Sequence, residues 1–200
     1  LPTLERRIVD AGVDIIDTQQ DHPEFLHAVL CQVSLPRSRV DGQTFERTNG
    51  STSIHLRAGE IAQAFGQWKK CPLPYGAKPR LVLYHLCSEA IRTQTPHVDL
   101  GGSMRGFLER IGIQYGGRAL ADFKRQMLSL STCHMTLAYW DNGRIRQTRA
   151  DPIRAFDAWF PQDPGQKTFW ADEIILGQEF FETLCAHAVP LDPRAIHALQ

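Results

Sequence analysis

Between Pro79 and Pro96 the apolar positions come too thickly for a surface helix. Leu81, Val82, Leu83, Leu86, Ala90 and Ile91 cover a wide arc of a helical wheel, and a helix apolar over such an arc belongs in the centre of a fold. Pro79 suits the first turn, where its missing N–H needs no partner, and Pro96 predicts the end. Ser103 then caps a helix with Met104, Phe107, Leu108 and Ile111 on one face, stopped by Gly112. After a turn at Tyr115-Gly116-Gly117, the spacing predicts a helix that buries Leu120, Phe123, Met127 and Leu130. Its exposed side carries Arg118, Asp122, Arg125 and Ser129. Cys133, Met135, Leu137 and Tyr139 alternate with His134, Thr136, Ala138 and Trp140, the period of a strand. Asp141-Asn142-Gly143 turns that strand, and Arg144 to Arg149 returns, with Ile145 as its main apolar residue.

Outside this stretch the pattern is more broken. Leu4, Ile8, Val9, Val13, Ile15 and Ile16 predict an N-terminal helix that ends by Pro23. The run from Phe25 to Leu35 reads as a strand. Phe45 to Arg47 and Ser53 to Arg57 flank Asn49-Gly50, a pair that favours a tight hairpin turn. Gly59 to Phe65 predicts a short helix, Trp68 to Pro74 a loop, and Val98 to Leu100 a short extended link. Phe156, Trp159 and Phe160 make an aromatic segment, followed by a loop from Pro161 to Gln166. Phe169 to Leu176 reads as a strand. Gln178 to His187 reads as a helix with Phe180, Phe181, Leu184 and Cys185 inward. A final helix opens after Asp192, its cap.

Three helices followed by a two-stranded hairpin is the order of a winged-helix domain. The fold class is therefore expected to be α+β, a helix-turn-helix with a β-hairpin wing and an added N-terminal helix and strands. Residues 1–24 would form an N-terminal helix and linker, 25–190 the winged-helix domain, and 191–200 the start of a helix leading to a further domain. The chain reads as a fragment of a longer protein.

The charge distribution sharpens this picture. The 200 residues carry 22 basic and 22 acidic side chains, so the whole chain has no global attraction to nucleic acid or anionic lipid. Residues 104–149 nevertheless hold eight basic and three acidic residues, and 150–200 hold three basic and eight acidic. The helix–helix–hairpin unit is thus the basic part, and a basic patch is the electrostatic footprint of phosphate contacts. A solvated face of Arg and Lys accounts for the same count. The candidate phosphate contacts to double-stranded DNA are Arg118, Lys124 and Arg125 on the third helix and Arg144, Arg146 and Arg149 on the wing. Such contacts position a protein on DNA without reading sequence.

Candidate chemistry subtracts more than it adds. None of the eight histidines makes an HxH, HExxH or Cys/His metal spacing. No GxxxxGK[ST], GxGxxG or GxSxG motif occurs. Gly101-Gly102-Ser103 is explained by a helix cap, and Tyr75 has no histidine cluster beside it to serve a nuclease. Neither catalysis, nor a cofactor, nor a metal is expected. The cysteines number five, are widely spaced and form no CxxC pair, which reads as reduced, buried thiols in a cytosolic protein. No apolar run approaches membrane-spanning length, so no membrane partner is expected.

Several short motifs are more specific than the winged-helix order. They are Pro74-Tyr75-Gly76-Ala77-Lys78-Pro79-Arg80-Leu81, Leu100-Gly101-Gly102-Ser103 with Phe107, and Ile113 with Gly116-Gly117. Asp157-Ala158-Trp159-Phe160-Pro161, and Phe180-Phe181-Glu182 with His187-Ala188-Val189-Pro190-Leu191-Asp192, complete the set. In these the chain resembles plasmid replication initiators of the RepA type. The resemblance implies two winged-helix domains in tandem that bind repeated origin sites, the iterons, in the bacterial cytoplasm. It implies a first domain that dimerises and touches the DNA backbone, a second that reads bases, and host replication proteins as partners. This chain corresponds to the first domain with its N-terminal extension. A pure dimerisation module, pairing the strands Phe25–Leu35 and Phe45–Arg57 across a two-fold axis, is the alternative without DNA contact.

Overall fold

The computed structural model describes residues 3–17, 23–62, 66–156 and 173–198. In chain order the elements begin with α1 (Thr3–Asp17), β1 (Glu24–His27), α2 (Ala28–Gln32), β2 (Thr44–Asn49), β3 (Thr52–Arg57), β4 (Glu60–Ala62) and β5 (Trp68–Lys70). The centre comprises α3 (Ala77–Thr93), β6 (His97–Asp99), α4 (Met104–Arg110), α5 (Gly117–Thr132), β7 (His134–Asp141) and β8 (Arg144–Arg149). The chain closes with β9 (Ile153–Phe156), β10 (Glu173–Leu176), α6 (Gln178–His187), β11 (Ala188–Leu191) and α7 (Pro193–Ala198). The result is a mixed α and β fold whose described strands pair antiparallel.

Helix α3 is central, as its wide apolar arc requires. Leu81, Val82, Leu83, Leu86, Cys87 and Ala90 are buried, and the helix packs against β1, α5, α6 and β6. It ends at Thr93, before Pro96, because Gln94 turns into the left-handed region at φ 56°. Phe107 of α4, Phe123 of α5 and Phe180 of α6 are fully buried in the same core. Removing any one aromatic ring from such a core costs about 3–5 kcal/mol.

The hairpin β7–β8 does not stand alone. It extends the hairpin β2–β3 into a four-stranded sheet of order β2-β3-β7-β8, with β8 and β2 at the edges. The link at Val98 is extended as expected, but β6 pairs with β10 and not with the β7–β8 hairpin. The strand β11 lies on β1, with Leu191 opposite Glu24, so the 25–190 and 191–200 spans meet inside it. Helix α7 packs against α1.

Several local expectations are corrected. The strand over Phe25–Leu35 stops at His27, whose Nδ1 accepts the Val29 N–H and so starts a helix. Within the helix expected over Gly59–Phe65, Glu60–Ala62 is instead strand β4 and residues 63–65 lie outside the described residues, while the loop expected over Trp68–Pro74 opens with β5, its partner. Helix propensities differ by only tenths of a kcal/mol per residue, less than a ladder of strand hydrogen bonds can supply. Ser129 is buried rather than exposed, its hydroxyl donating to the Arg125 carbonyl. Asp122 is half-buried and Leu120 only half-buried, while Cys31 and Cys185 are exposed and not buried. Trp159, Phe160, the Pro161–Gln166 loop and the start of the Phe169–Leu176 strand lie outside the described residues.

Candidate nucleic-acid interface

Helix α5 turns its apolar stripe inward and leaves its cations on the other side. Arg118 and Arg125 are exposed and Lys124 is half-buried. The Asp122 carboxylate sits between Lys78 of α3 and Arg125, and accepts hydrogen bonds from both. Partial burial pushes its pKa up, but these two cations outweigh that and hold the carboxyl below the usual range. The charge of Arg125 is therefore shared with an internal acid. Arg118 has no acidic partner among the described residues.

The β7–β8 hairpin divides its arginines by the alternation of the strand. Arg146 lies opposite Tyr139 and Arg144 opposite Asp141, so both occupy the face that carries Leu137 and Met135 toward the core. Their side chains are exposed nonetheless, because the hairpin runs beyond the core at that end. The Arg146 guanidinium lies over the Tyr139 ring, 5.9 Å from its centroid. Arg149 lies opposite Thr136 on the reverse face. Its Nη2 donates to Asp151 Oδ2 at 3.0 Å, and Asp151 Oδ1 accepts the Met135 N–H at 2.9 Å. His134 Nδ1 is also 3.0 Å from Asp151 Oδ2. Burial raises the Asp151 pKa, but His134, the Met135 N–H and Arg149 together hold it below the ordinary value.

Apart from the half-buried Lys124, the candidates fall into two kinds. Arg118, Arg144 and Arg146 are exposed cations without a local acid bonded to them among the described residues. Arg125 and Arg149 are ion-paired at the surface, an arrangement worth only about 0–1 kcal/mol and open to competition from phosphate. Ile145, near the hairpin tip opposite Trp140, is 75% exposed and presents an apolar side chain on the reverse face from Arg144 and Arg146.

The structure adds cations that residue counting over 104–149 missed. Lys69 and Lys70 lie on β5 beside Trp68, which is 67% exposed. Arg57 at the end of β3 is brought opposite His134 by the sheet register. Arg57, Trp68, Lys70 and His134 border one open groove of about 460 Å³, with Glu60 as its acid. The adjacent aromatic and two lysines were visible as Trp-Lys-Lys in the sequence. Their approach to His134, and through it to Arg149, depends on strand pairing. Among the described residues no group of three or more metal-ligating side chains is placed to hold an ion, and no helix is long and apolar enough to cross a membrane.

Residues 73–200 match the family model described as plasmid encoded RepA protein. The match takes in more than half of the sequence, and the chain belongs to that family of plasmid replication initiators. No curated protein matches it. Two crystal structures of domains 2 and 3 of RctB are similar at a TM-score of 0.45 and 13% identity, over 80% and 79% of this chain. The chain spans 59% of the length of each of those RctB chains.

Proposed function

We propose that this chain is a non-enzymatic, DNA-holding part of a plasmid replication initiator, acting in the bacterial cytoplasm at origin iterons. In this reading α3, α4 and α5 form the helical part of a winged helix and β7–β8 its wing. The wing is braced by β3 instead of by the strand between the first two helices. Arg118, Lys124 and Arg125 from the helix and Arg144, Arg146 and Arg149 from the wing hold phosphates. The observation that carries the proposal is the projecting hairpin with Arg144 and Arg146 exposed beyond the core. Backbone contacts by such cations release counterions, so the affinity falls steeply with salt. The test is binding to a duplex bearing the plasmid's iterons across a salt series. Salt-dependent binding is expected, and no binding at low salt, or binding indifferent to salt, removes the proposal.

A second reading is a dimerising module that also meets host replication proteins. It is favoured by β2, an edge strand of the four-stranded sheet whose outer side has no strand partner among the described residues. Light scattering decides it, since a strict monomer at high concentration leaves no room for that pairing.

A further inference from the structure

Helix α1 carries more apolar surface than its neighbour covers. Its main packing neighbour among the described residues is α7, a helix of six residues. Ala11 and Gly12 are half-buried, whereas Val9 is 55% and Val13 51% exposed, with Ile8 and Ile15 also open to solvent. Four exposed apolar residues on one helix make a stripe, not the isolated surface residues that need no account. All four are β-branched, so α1 gains little from intrinsic propensity, and Gly12 weakens it further. Its 15 residues are near the lower limit for a helix that holds together alone in water. Packing must therefore sustain α1, and α7 leaves the Val9–Val13 edge uncovered.

The order of charge along α1 selects the occupant. In sequence it runs Glu5, Arg6, Arg7, Asp10, Asp14, Asp17. The bases lie in the first half, and the last turn has acids and no base, although the free carbonyls of a helix end favour a base there. This order is unfavourable for a helix standing alone. It becomes self-complementary when a second α1 lies antiparallel, because the basic half of each then lies beside the acidic half of the other, and the two helix dipoles also oppose. Arg6 borders the Val9–Val13 edge on the helical wheel. Its ion pair with Asp10, at 4.0 Å and exposed on both sides, is weak enough to exchange for another acid. An anionic lipid surface or nucleic acid fits poorly, since the helix holds two bases against four acids.

We propose that α1 is a docking surface for α1 of a second copy of this chain, the two helices antiparallel about a two-fold axis. Val9 of each copy meets Val13 of the other, and Arg6 of each lies beside the helix position of Asp17 in the other. Such a contact is isologous and closes on itself. It rests on the dimerising reading above but assigns the contact to α1 and not to the edge strand β2. A single helix pair buries less than a standard interface, so the association is weak and depends on concentration.

Analytical ultracentrifugation of the chain over a wide range of concentration tests it. A reversible monomer–dimer equilibrium is expected. Val9→Asp and Val13→Asp, both at exposed positions, should each weaken it about tenfold or more. Charge exchange is the sharper arm. Arg6→Asp and Asp17→Arg should each associate poorly alone, because each sets like charges face to face, and an equimolar mixture of the two should associate more tightly than either. A strict monomer at every concentration overturns the proposal, as does a monomer that binds phosphatidylcholine vesicles through Val9 and Val13. A dimer unchanged by a folded Val9→Asp variant also overturns it, and leaves pairing through β2 standing. If Val9→Asp does not unfold cooperatively, the mixture decides alone: no gain over the separate variants overturns the proposal.

Discussion

The backbone N–H of Tyr75 donates to Oε1 of Gln126 at 2.8 Å. This bond ties the segment leading into α3 to the middle of α5. Three residues on, Lys78 reaches Asp122, one turn earlier on the same helix. The Pro74–Leu81 motif therefore does mechanical work: it fixes the angle at which the central helix meets the cation-bearing one. Gln126 is 1% exposed and its Nε2 has no partner among the described residues, so it is retained in the core despite a cost.

Replacing Gln126 with Leu leaves the Tyr75 N–H without its acceptor while keeping most of the side-chain volume. The variant should lose about 1–3 kcal/mol, read as a lower midpoint in urea unfolding. At this chain length each kcal/mol corresponds to a fall in Tm of about 2–4 °C. An unchanged midpoint would mean that the motif is held by Lys78–Asp122 alone.

How much of this was readable beforehand follows from how local each element is. The helices α3, α5 and α6 and the hairpin β7–β8 were legible because their apolar period is carried by their own residues. The run Phe25–Leu35 was not, since a short apolar stretch fits a buried strand or a buried helix equally well. A single side-chain cap at His27 decides it. The strands β4 and β5 exist only through each other. The candidate cations could be counted but not sorted, because the acids that pair with Arg125 and Arg149 are recognised only once helix spacing and strand register are known. Gln126 escaped notice because a polar residue inside an apolar face breaks the pattern that finds the face.

Stability should fall in two stages on acidification. His27 and His85 are buried, and burial lowers the pKa of each from 6.5 to about 4, assisted at His27 by His187. Their unfolded forms bind protons first, so the native state weakens as pH falls from about 6.5 toward 4. Each contributes a slope of up to about 1.4 kcal/mol per pH unit. Asp122 and Asp151 have pKa values held below 3.8, so their contribution is complete above that value and is lost only as pH falls further. Unfolding free energy measured against pH should show both limbs. His85→Phe should flatten the upper limb and Asp151→Asn the lower. A flat profile from pH 6.5 to 4 in the unaltered protein would contradict the neutral, buried state of both histidines.

The division among the arginines makes its own prediction. Arg144→Ala and Arg146→Ala should weaken duplex binding about equally for all sequences, each reducing the salt slope by about one. Arg149→Ala should reduce it less and cost some stability, because Arg149 is bonded to Asp151 beside the Met135 N–H. Filter binding across a salt series, with thermal unfolding alongside, separates these outcomes. Equal effects of all three would show that phosphate strips Arg149 from its acid.

Gly59 ties the β4–β5 ribbon to the end of α5. A Cβ at Gly59 would lie 1.8 Å from the Thr132 carbonyl oxygen, a backbone atom with no freedom to move aside. Gly59→Ala must therefore displace the ribbon or the last turn of α5. The expected cost is at least the roughly 1–3 kcal/mol of an overpacked site. The ribbon carries Trp68, Lys69 and Lys70, and Lys70 borders the groove beside Arg57 and His134. If this groove also follows a phosphate backbone, Lys69→Ala with Lys70→Ala should lower duplex affinity and the salt slope while leaving the Tm unchanged. Gly59→Ala should lower both affinity and Tm. Trp68→Phe then provides the control: the loss of fluorescence quenching on DNA addition relative to the parent protein places Trp68 at the contact. An affinity untouched by the double lysine change confines the interface to α5 and the wing.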